Sequence, residues 1–320
     1  MTTSQIDPNV YQAARETAVL TDRSNLGTII ISGETRFDLL NRMSTQKVLP
    51  MNKGEGTATI LTSDIGRIID RLLLYATNST IYALTSENNS EAIARYLMRF
   101  VFFQDDFYMQ DISSDTAIFG VYGPQARQRV VEAGFSDEEL RLHHWRQAQF
   151  GQQTKFAAYL HHTDPIHGDG YFIIGEAKDR EALWQQLLGT GLAVADAAAF
   201  DYLRIAAGLP RFGRELTGDY IPLEANLWAD VSFDKGCYIG QEIIARMESR
   251  GKLAKRLVPL TADAPLEAGS TIQANGKNAG TVTSTAVGPN GAIGLGYVKT
   301  AVLDTDKELV VGDTAVTVKH

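Results

Sequence analysis

The texture of the chain changes at Lys255, and that change constrains the fold more than any other feature. Downstream of it, short β-rich stretches (Arg256–Leu260, Ser270–Ala274, Gly280–Thr285, Ala292–Val298, Glu308–Val311 and Ala315–Val318) follow one another without helical periodicity. Two of the intervening turns are Asn-Gly pairs, Asn275-Gly276 and Asn290-Gly291. Such pairs accept the left-handed backbone of a tight hairpin and are a strong local pairing signal. Six short strands in about 65 residues, joined by turns alone, predict a small antiparallel barrel.

Upstream, strand and helix patterns alternate. Leu26–Ile31 is a β-branched run, and Phe37, Leu39, Leu40 and Met43 then recur on one side of a helix predicted over Ser32–Met43. Thr57–Leu61 and Ile68–Tyr75 read as strands joined by the Ser63–Gly66 turn, Ile81–Thr85 as a third, and Ser90–Phe100 as a helix. Thr116–Val121 leads into Gly123-Pro124 and a helix through Val131. Lys155–Leu160 and Tyr171–Ile174 are strand-like, and Arg180–Leu188 is helical. A helix over Asp196–Ala207 is closed by Gly208 and Pro210, after which Arg211–Phe233 is irregular.

A length of 320 residues suits two or three domains. With 30 basic and 38 acidic side chains, the net charge of −8 argues against a nucleic-acid partner, which requires a basic face. The amino terminus lacks a basic segment followed by an apolar one, and no apolar run approaches the ~20 residues that span a bilayer. The expectation is a cytoplasmic protein with no membrane partner. One cysteine, Cys237, excludes an internal disulfide framework and a four-thiolate metal site within one chain.

That cysteine sits in Phe233-Asp234-Lys235-Gly236-Cys237-Tyr238-Ile239-Gly240-Gln241-Glu242. Gly236 and Gly240 permit positive φ and close approach of another group. Lys235 offers a cation two residues away, and a helix beginning at Gln241 would place its positive dipole end beside the sulfur. These surroundings favour a nucleophilic thiol; the alternative is a small buried apolar side chain, as most free cysteines are. The following stretch, Arg246–Arg256, is basic and serves either as a connector or as a landing place for an anionic ligand tail. The pairs His143-His144 and His161-His162, with His167, lack metal-ligand spacing, so no metal site is expected. Gly168-Asp169-Gly170 lacks the third glycine of a dinucleotide fingerprint.

The run Lys235-Gly236-Cys237-Tyr238-Ile239-Gly240-Gln241-Glu242 resembles the K-G-C-Y-x-G-Q-E signature of the YgfZ-type folate-binding proteins. These are relatives of the glycine-cleavage T protein and support iron–sulfur enzymes. The resemblance continues in Leu203–Pro210, Ile221–Leu227, Gly280–Ser284 and Gly294–Val298, and in Gly66–Tyr75, which is similar to the family's G-x-I-x-D-D-L-x-V-Y strand. It implies an α+β chain of three domains in a ring around a folate channel, ending in an antiparallel β-barrel. On that pattern residues 1–50 and 113–250 form a discontinuous folate-binding domain, 51–112 an inserted α+β domain and 251–320 the barrel. The implied ligand is tetrahydrofolate, contacted by Tyr75, Glu224 and Arg246. The implied chemical centre is Cys237 with Lys235, Tyr238 and Gln241, and the implied partners are iron–sulfur proteins or their assembly factors, met transiently.

Two positions depart from the pattern. Arg71 stands where the T protein carries the second aspartate of D-D-L, which acts on the folate nitrogen; a guanidinium cannot present a carboxylate there. Asp70 is adjacent, but strand alternation points it to the other face. Ala206 replaces the glutamate of R-x-E-A-G that grips the pterin, leaving Glu224 as a possible substitute. The function implied is a folate-binding accessory protein for assembling or repairing iron–sulfur clusters. A folate-dependent aminomethyltransferase, and a cysteine hydrolase or acyltransferase with a histidine partner, are the alternatives.

Overall fold

The computed structural model describes residues 6–150, 156–305 and 307–319. Two antiparallel-rich sheets and one closed barrel carry the strands. The first sheet has the order Gly56–Thr62, Ile68–Ala76, Ile81–Glu87, Leu26–Ser32, Tyr108–Asp111. Its outer face buries Ile29, Ile31, Leu72 and Leu74 under the helices Arg36–Met43 and Ser90–Met98, which contribute Leu39, Leu40, Ile93 and Leu97. The second sheet has the order Ala193–Val194, Val19–Asp22, Thr116–Gly123, Asp169–Glu176, Phe156–His162, Trp145–Phe150. Its outer face is covered by the helices Ala126–Glu132 and Arg180–Leu188 through Val130, Leu183 and Leu187.

Strand alternation gives each sheet a second apolar face, and these inner faces meet. Leu73, Tyr75 and Leu84 of the first sheet pack in one cluster with Ile118, Tyr122, Phe172 and Ile174 of the second. The same cluster takes in Phe200, Tyr202 and Leu203 from the helix Ala197–Ala206 and Leu257, Leu295 and Tyr297 from the barrel. All three units therefore share one core. The helix Ala197–Ala206 begins where the Asp196 carboxylate accepts from the Ala199 amide at 2.8 Å, which caps its first turn.

The barrel is closed as the turn chemistry requires, with Thr314–Val318 returning to pair with Lys255–Ala262. Each of the six expected stretches is a strand, although a four-residue helix, Thr300–Leu303, interrupts the expected helix-free tail. The strand expected over Lys155–Leu160 is Phe156–His162, and Lys155 lies outside the described residues. Four short strands (Val19–Asp22, Tyr108–Asp111, Trp145–Phe150, Ala193–Val194) and the helix Pro8–Glu16 carry too little period to be expected. The first sheet runs across the expected domain boundary at residue 50. Leu26–Ser32 pairs with Ile81–Glu87 and Tyr108–Asp111, because strand partners are chosen by tertiary packing and not by nearness in the chain.

Candidate functional site

The inward face of the strand Ile68–Ala76 presents Arg71, Leu73 and Tyr75 in succession. Asp70 faces the other way, as alternation demands. Its buried carboxylate accepts from the Ser86 amide and hydroxyl and from Asn89 Nδ2, and burial raises its proton affinity. Asp70 is thus a structural tie between neighbouring strands.

Arg71 and Leu73 open onto a cavity of about 170 Å³ where the two sheets and the Arg211–Leu227 segment meet. Arg71 is held from two sides: its Nε donates to Asp230 at 2.6 Å and its Nη1 to Asp164 at 2.7 Å. Burial alone would lower the guanidinium's proton affinity, but the two carboxylates outweigh it and push it further up. Burial likewise pushes Asp164 up, yet Arg71 prevails and holds it below the ordinary carboxylate range. Both Asp164 oxygens accept from Arg71, so this carboxylate is a poor base. A second charged pair, Arg23 with Glu87 at 3.1 Å, also lines the cavity, and Arg23 lies 4.1 Å from the Phe200 ring centroid. Arg23 Nε is buried without a hydrogen-bond partner among the described residues, and the second Glu87 oxygen accepts from Arg211 Nε at 2.8 Å. Leu84, Phe172 and Phe200 supply apolar walls.

The cysteine loop lies elsewhere. Cys237 is exposed and does not line this cavity. The loop around it is clamped at three points. Lys235 is buried, and its ammonium donates to the carbonyls of Asn41, Ser44 and Gln46 at 2.7, 2.7 and 2.8 Å. All three protons are spent on the chain end of the helix Arg36–Met43, so Lys235 anchors the loop and has none left for a thiolate. Burial lowers its affinity for a proton to about 8. The Tyr238 ring lies 5.0 Å from that ammonium and is itself buried, its phenol pushed up to about 12 by burial. Gly240 has φ 85°, and a Cβ there would lie 2.6 Å from the Ser63 carbonyl oxygen, so only glycine fits against the Ser63–Gly66 turn. Gly236 does not take positive φ; nothing lies within 4 Å of the position a Cβ would occupy, which leaves the approach to Cys237 open.

The helix does begin at Gln241, where the side chain is partly exposed. Arg246 is exposed on that helix, and Glu224 is buried, accepting from the Ile221 amide at 3.2 Å with Arg67 at 3.9 Å. Neither lines the cavity. Tyr75 lies roughly 13 Å further along the strand than Arg71, at four residues' rise, and borders a different cavity. The structure therefore does not bring Tyr75, Glu224 and Arg246 together. Ala206 is exposed and outside the cavity lining. Sequence reasoning missed Asp164 and Asp230, which stand 93 and 159 residues from Arg71. The available signal was Arg71 itself, since a charge on an inward strand face demands counter-charges. Among the described residues no cluster of histidine, cysteine and carboxylate side chains suits a metal ion, and no helix is long and apolar enough to cross a membrane.

Comparison with known proteins agrees with this architecture. The chain is 29% identical over 309 residues to a putative chloroplastic transferase of Arabidopsis thaliana, covering 96% of this chain and 71% of the relative. It is 29% identical over 311 residues to an aminomethyltransferase of Geobacillus kaustophilus, covering 94% and 84%. The crystal structure of the glycine cleavage system aminomethyltransferase T from Bartonella henselae superposes with a TM-score of 0.83 at 23% identity, covering 99% of this chain and 90% of that one. The fold is therefore that of the T protein. Residues 6–235 match the GCVT N-terminal domain and residues 255–320 the C-terminal β-barrel domain of CAF17, so this chain belongs to the GCVT-domain family and ends in a CAF17-type barrel.

Proposed function

We propose that this protein is a tetrahydrofolate-binding accessory factor of the YgfZ type, supporting the assembly or repair of iron–sulfur clusters through Cys237. The observation that carries the reading is the presentation of the thiol: the chain's one cysteine is exposed on a loop whose neighbours are pinned by Lys235, Tyr238 and Gly240. One thiolate cannot hold a cluster, so the sulfur acts with ligands that a partner supplies. A fixed, outward-facing cysteine serves that purpose.

The cavity residues fit the head of a folate. Apolar walls from Leu84, Phe172 and Phe200 suit a flat bicycle, and the ion-paired Arg23 and Glu87 in the same lining would supply its polar surroundings. At about 170 Å³ the cavity has room for the pterin and not for the glutamate tail, which would leave toward solvent. Tetrahydrofolate, when bound, supplies a carrier for one-carbon groups. Relatives named aminomethyltransferases make such transfer the second reading. Against it stands Arg71, which occupies the carboxylate's place on the strand and spends Asp164 in an ion pair.

Two measurements test the proposal. Cys237→Ser, expressed in cells lacking the protein, is expected to unfold at the wild-type temperature yet fail to restore iron–sulfur enzyme activity; full restoration refutes the role of the thiol. Calorimetric titration of the wild type with tetrahydrofolate is expected to saturate, and its failure removes folate. Formation of methylenetetrahydrofolate from an aminomethylated lipoyl carrier would establish the second reading instead.

A further inference from the structure

An open groove of about 810 Å³ lies between the helix Ser90–Met98 and the Ser63–Gly66 turn, and Ile239 of the cysteine loop borders it. Its floor is apolar, because Ile69, Tyr96, Phe100 and Ile239 all pack on the core beneath that helix. Arg95 and Arg99, one helical turn apart, line it against a single carboxylate, Asp64. The lining is thus net positive in a chain whose net charge is −8. These charges are little engaged within the chain. Arg95 meets Glu91 at 3.5 Å in an exposed pair that contributes little. Arg99 is exposed, with its guanidinium carbon 6.0 Å from the Phe100 ring centroid. Asp64 is turned back on its own loop, where Oδ1 accepts from the Ile65 amide at 3.0 Å.

Just past Phe100 the chain holds two phenylalanines in water. Phe102 and Phe103 are both exposed, Phe103 entirely. A tight turn keeps them there: the Phe102 amide donates to Asp105 Oδ2 and the Asp105 amide to the Phe102 carbonyl, each at 2.9 Å. The turn is tied to the cysteine loop through Arg42, whose Nη2 donates to Asp105 Oδ1 at 2.8 Å and whose carbonyl accepts from the Ile239 amide at 3.2 Å. The groove wall is tied to the same residue. Tyr96 donates its hydroxyl to the Thr62 carbonyl at 3.0 Å, and the Thr62 hydroxyl donates to the Ile239 carbonyl at 2.6 Å. Turn, groove and cysteine loop therefore form one fixed surface, with exposed Cys237 at most about 7 Å along the chain from residue 239.

We propose that this surface docks an acidic segment bearing apolar side chains, carried by the protein that acts with Cys237. Adjacent exposed rings beside an apolar groove mark a face that another surface covers. Carboxylates on the segment would meet Arg95 and Arg99, which steer its approach and fix its register, while its apolar side chains cover Phe103 and the groove floor. A docked segment would then present its neighbouring residues to the thiol at high effective concentration. This deepens the reading of Cys237 as a thiol completed by a partner and rests on it for the partner's role.

The test uses the full chain and its one thiol as reporter. Two peptides, acetyl-Glu-Glu-Phe-Leu-Glu-Gly-Gly-Cys-amide and its counterpart with lysines for glutamates, carry the cysteine as a 2-thiopyridyl disulfide. The Cys237 thiolate attacks the peptide sulfur, the new S–S bond forms as the old one breaks, and pyridine-2-thione leaves and is read by its absorbance. With each rate divided by that for free cysteine, the acidic peptide is expected to react about tenfold faster than the basic one at low salt, and the gap to close at high salt. Arg95→Glu, Arg99→Glu is expected to erase the preference, and Phe103→Ser to slow the acidic peptide several-fold; all three side chains are exposed, so both variants are expected to unfold like the wild type. Equal rates for the two peptides, or wild-type rates in either variant, overturn the proposal. So does sedimentation of the wild type as a dimer that the double arginine variant dissolves, since the face would then join two copies. In cells, the double arginine variant is expected to lower iron–sulfur enzyme activity. Full restoration by it while Cys237→Ser fails refutes the docking surface alone; full restoration by Cys237→Ser refutes the role of the thiol, and the peptide rates still decide the surface.

Discussion

His161 offers a pH test whose size follows from its surroundings. The ring is 4% exposed, its Nδ1 has no partner among the described residues, and its neighbour is the Tyr75 ring, edge-on at 4.0 Å between centroids. Burial pushes the imidazole from the ordinary 6.5 down to about 3. Below 6.5 the unfolded chain takes up a proton here that the folded chain refuses, so stability falls with falling pH, and the loss is complete near 3. Two pH units below 6.5 correspond to about 3 kcal/mol for this one group. His161→Phe keeps the ring contact with Tyr75 and removes the titration. Urea denaturation followed by circular dichroism at about pH 7 and about pH 4.5 is expected to show the wild type losing about 3 kcal/mol more than the variant across that interval. Parallel losses in the two proteins would falsify the assignment of a buried neutral histidine.

Three further outcomes follow from the same packing. Arg71→Met strands Asp164 and Asp230 without their cation; removing it from this part-buried set is expected to cost about 1–3 kcal/mol, read as a lower midpoint in thermal unfolding. Lys235→Met leaves three carbonyls of the Asn41–Gln46 segment without their donor, and a loss of roughly 2–4 kcal/mol in urea unfolding is expected, while unchanged stability would show that the loop is not clamped there. Gly240→Ala forces a Cβ to 2.6 Å from the Ser63 carbonyl oxygen at left-handed φ; a cost of about 1–3 kcal/mol is expected, whereas Gly236→Ala, with open space around it, is expected to be nearly neutral in stability.

Much of the site could not be read locally. The K-G-C-Y-x-G-Q-E run marked the right loop, but Lys235 and Cys237 turned out to do opposite things: one is sunk into the end of a helix nearly two hundred positions earlier, the other faces water. Nothing in the intervening spacing tells a lysine that activates a sulfur from one that caps carbonyls; the difference is where three acceptors happen to converge. Tyr75 illustrates the same limit, since pattern places it on the inward strand face but cannot say which of two cavities that face borders at its position. Asp164, in a loop, and Asp230, ending the single 3-10 turn Trp228–Asp230, lie in no periodic pattern and were silent until folding delivered them to Arg71.

What the chain determined by itself was whatever depends on near neighbours. The barrel's six strands and their Asn-Gly turns, the alternation that sends Asp70 and Arg71 to opposite faces, and the capped helix at Asp196 are set by periods of a few residues and by backbone preferences. The tertiary structure alone decided which strands share a sheet across the boundary at residue 50, which charges meet at Arg71, and that a second cavity opens beside Tyr75. These are contacts between segments far apart in the chain. Their free energy comes from burial and charge pairing that exist only once the segments have been brought together.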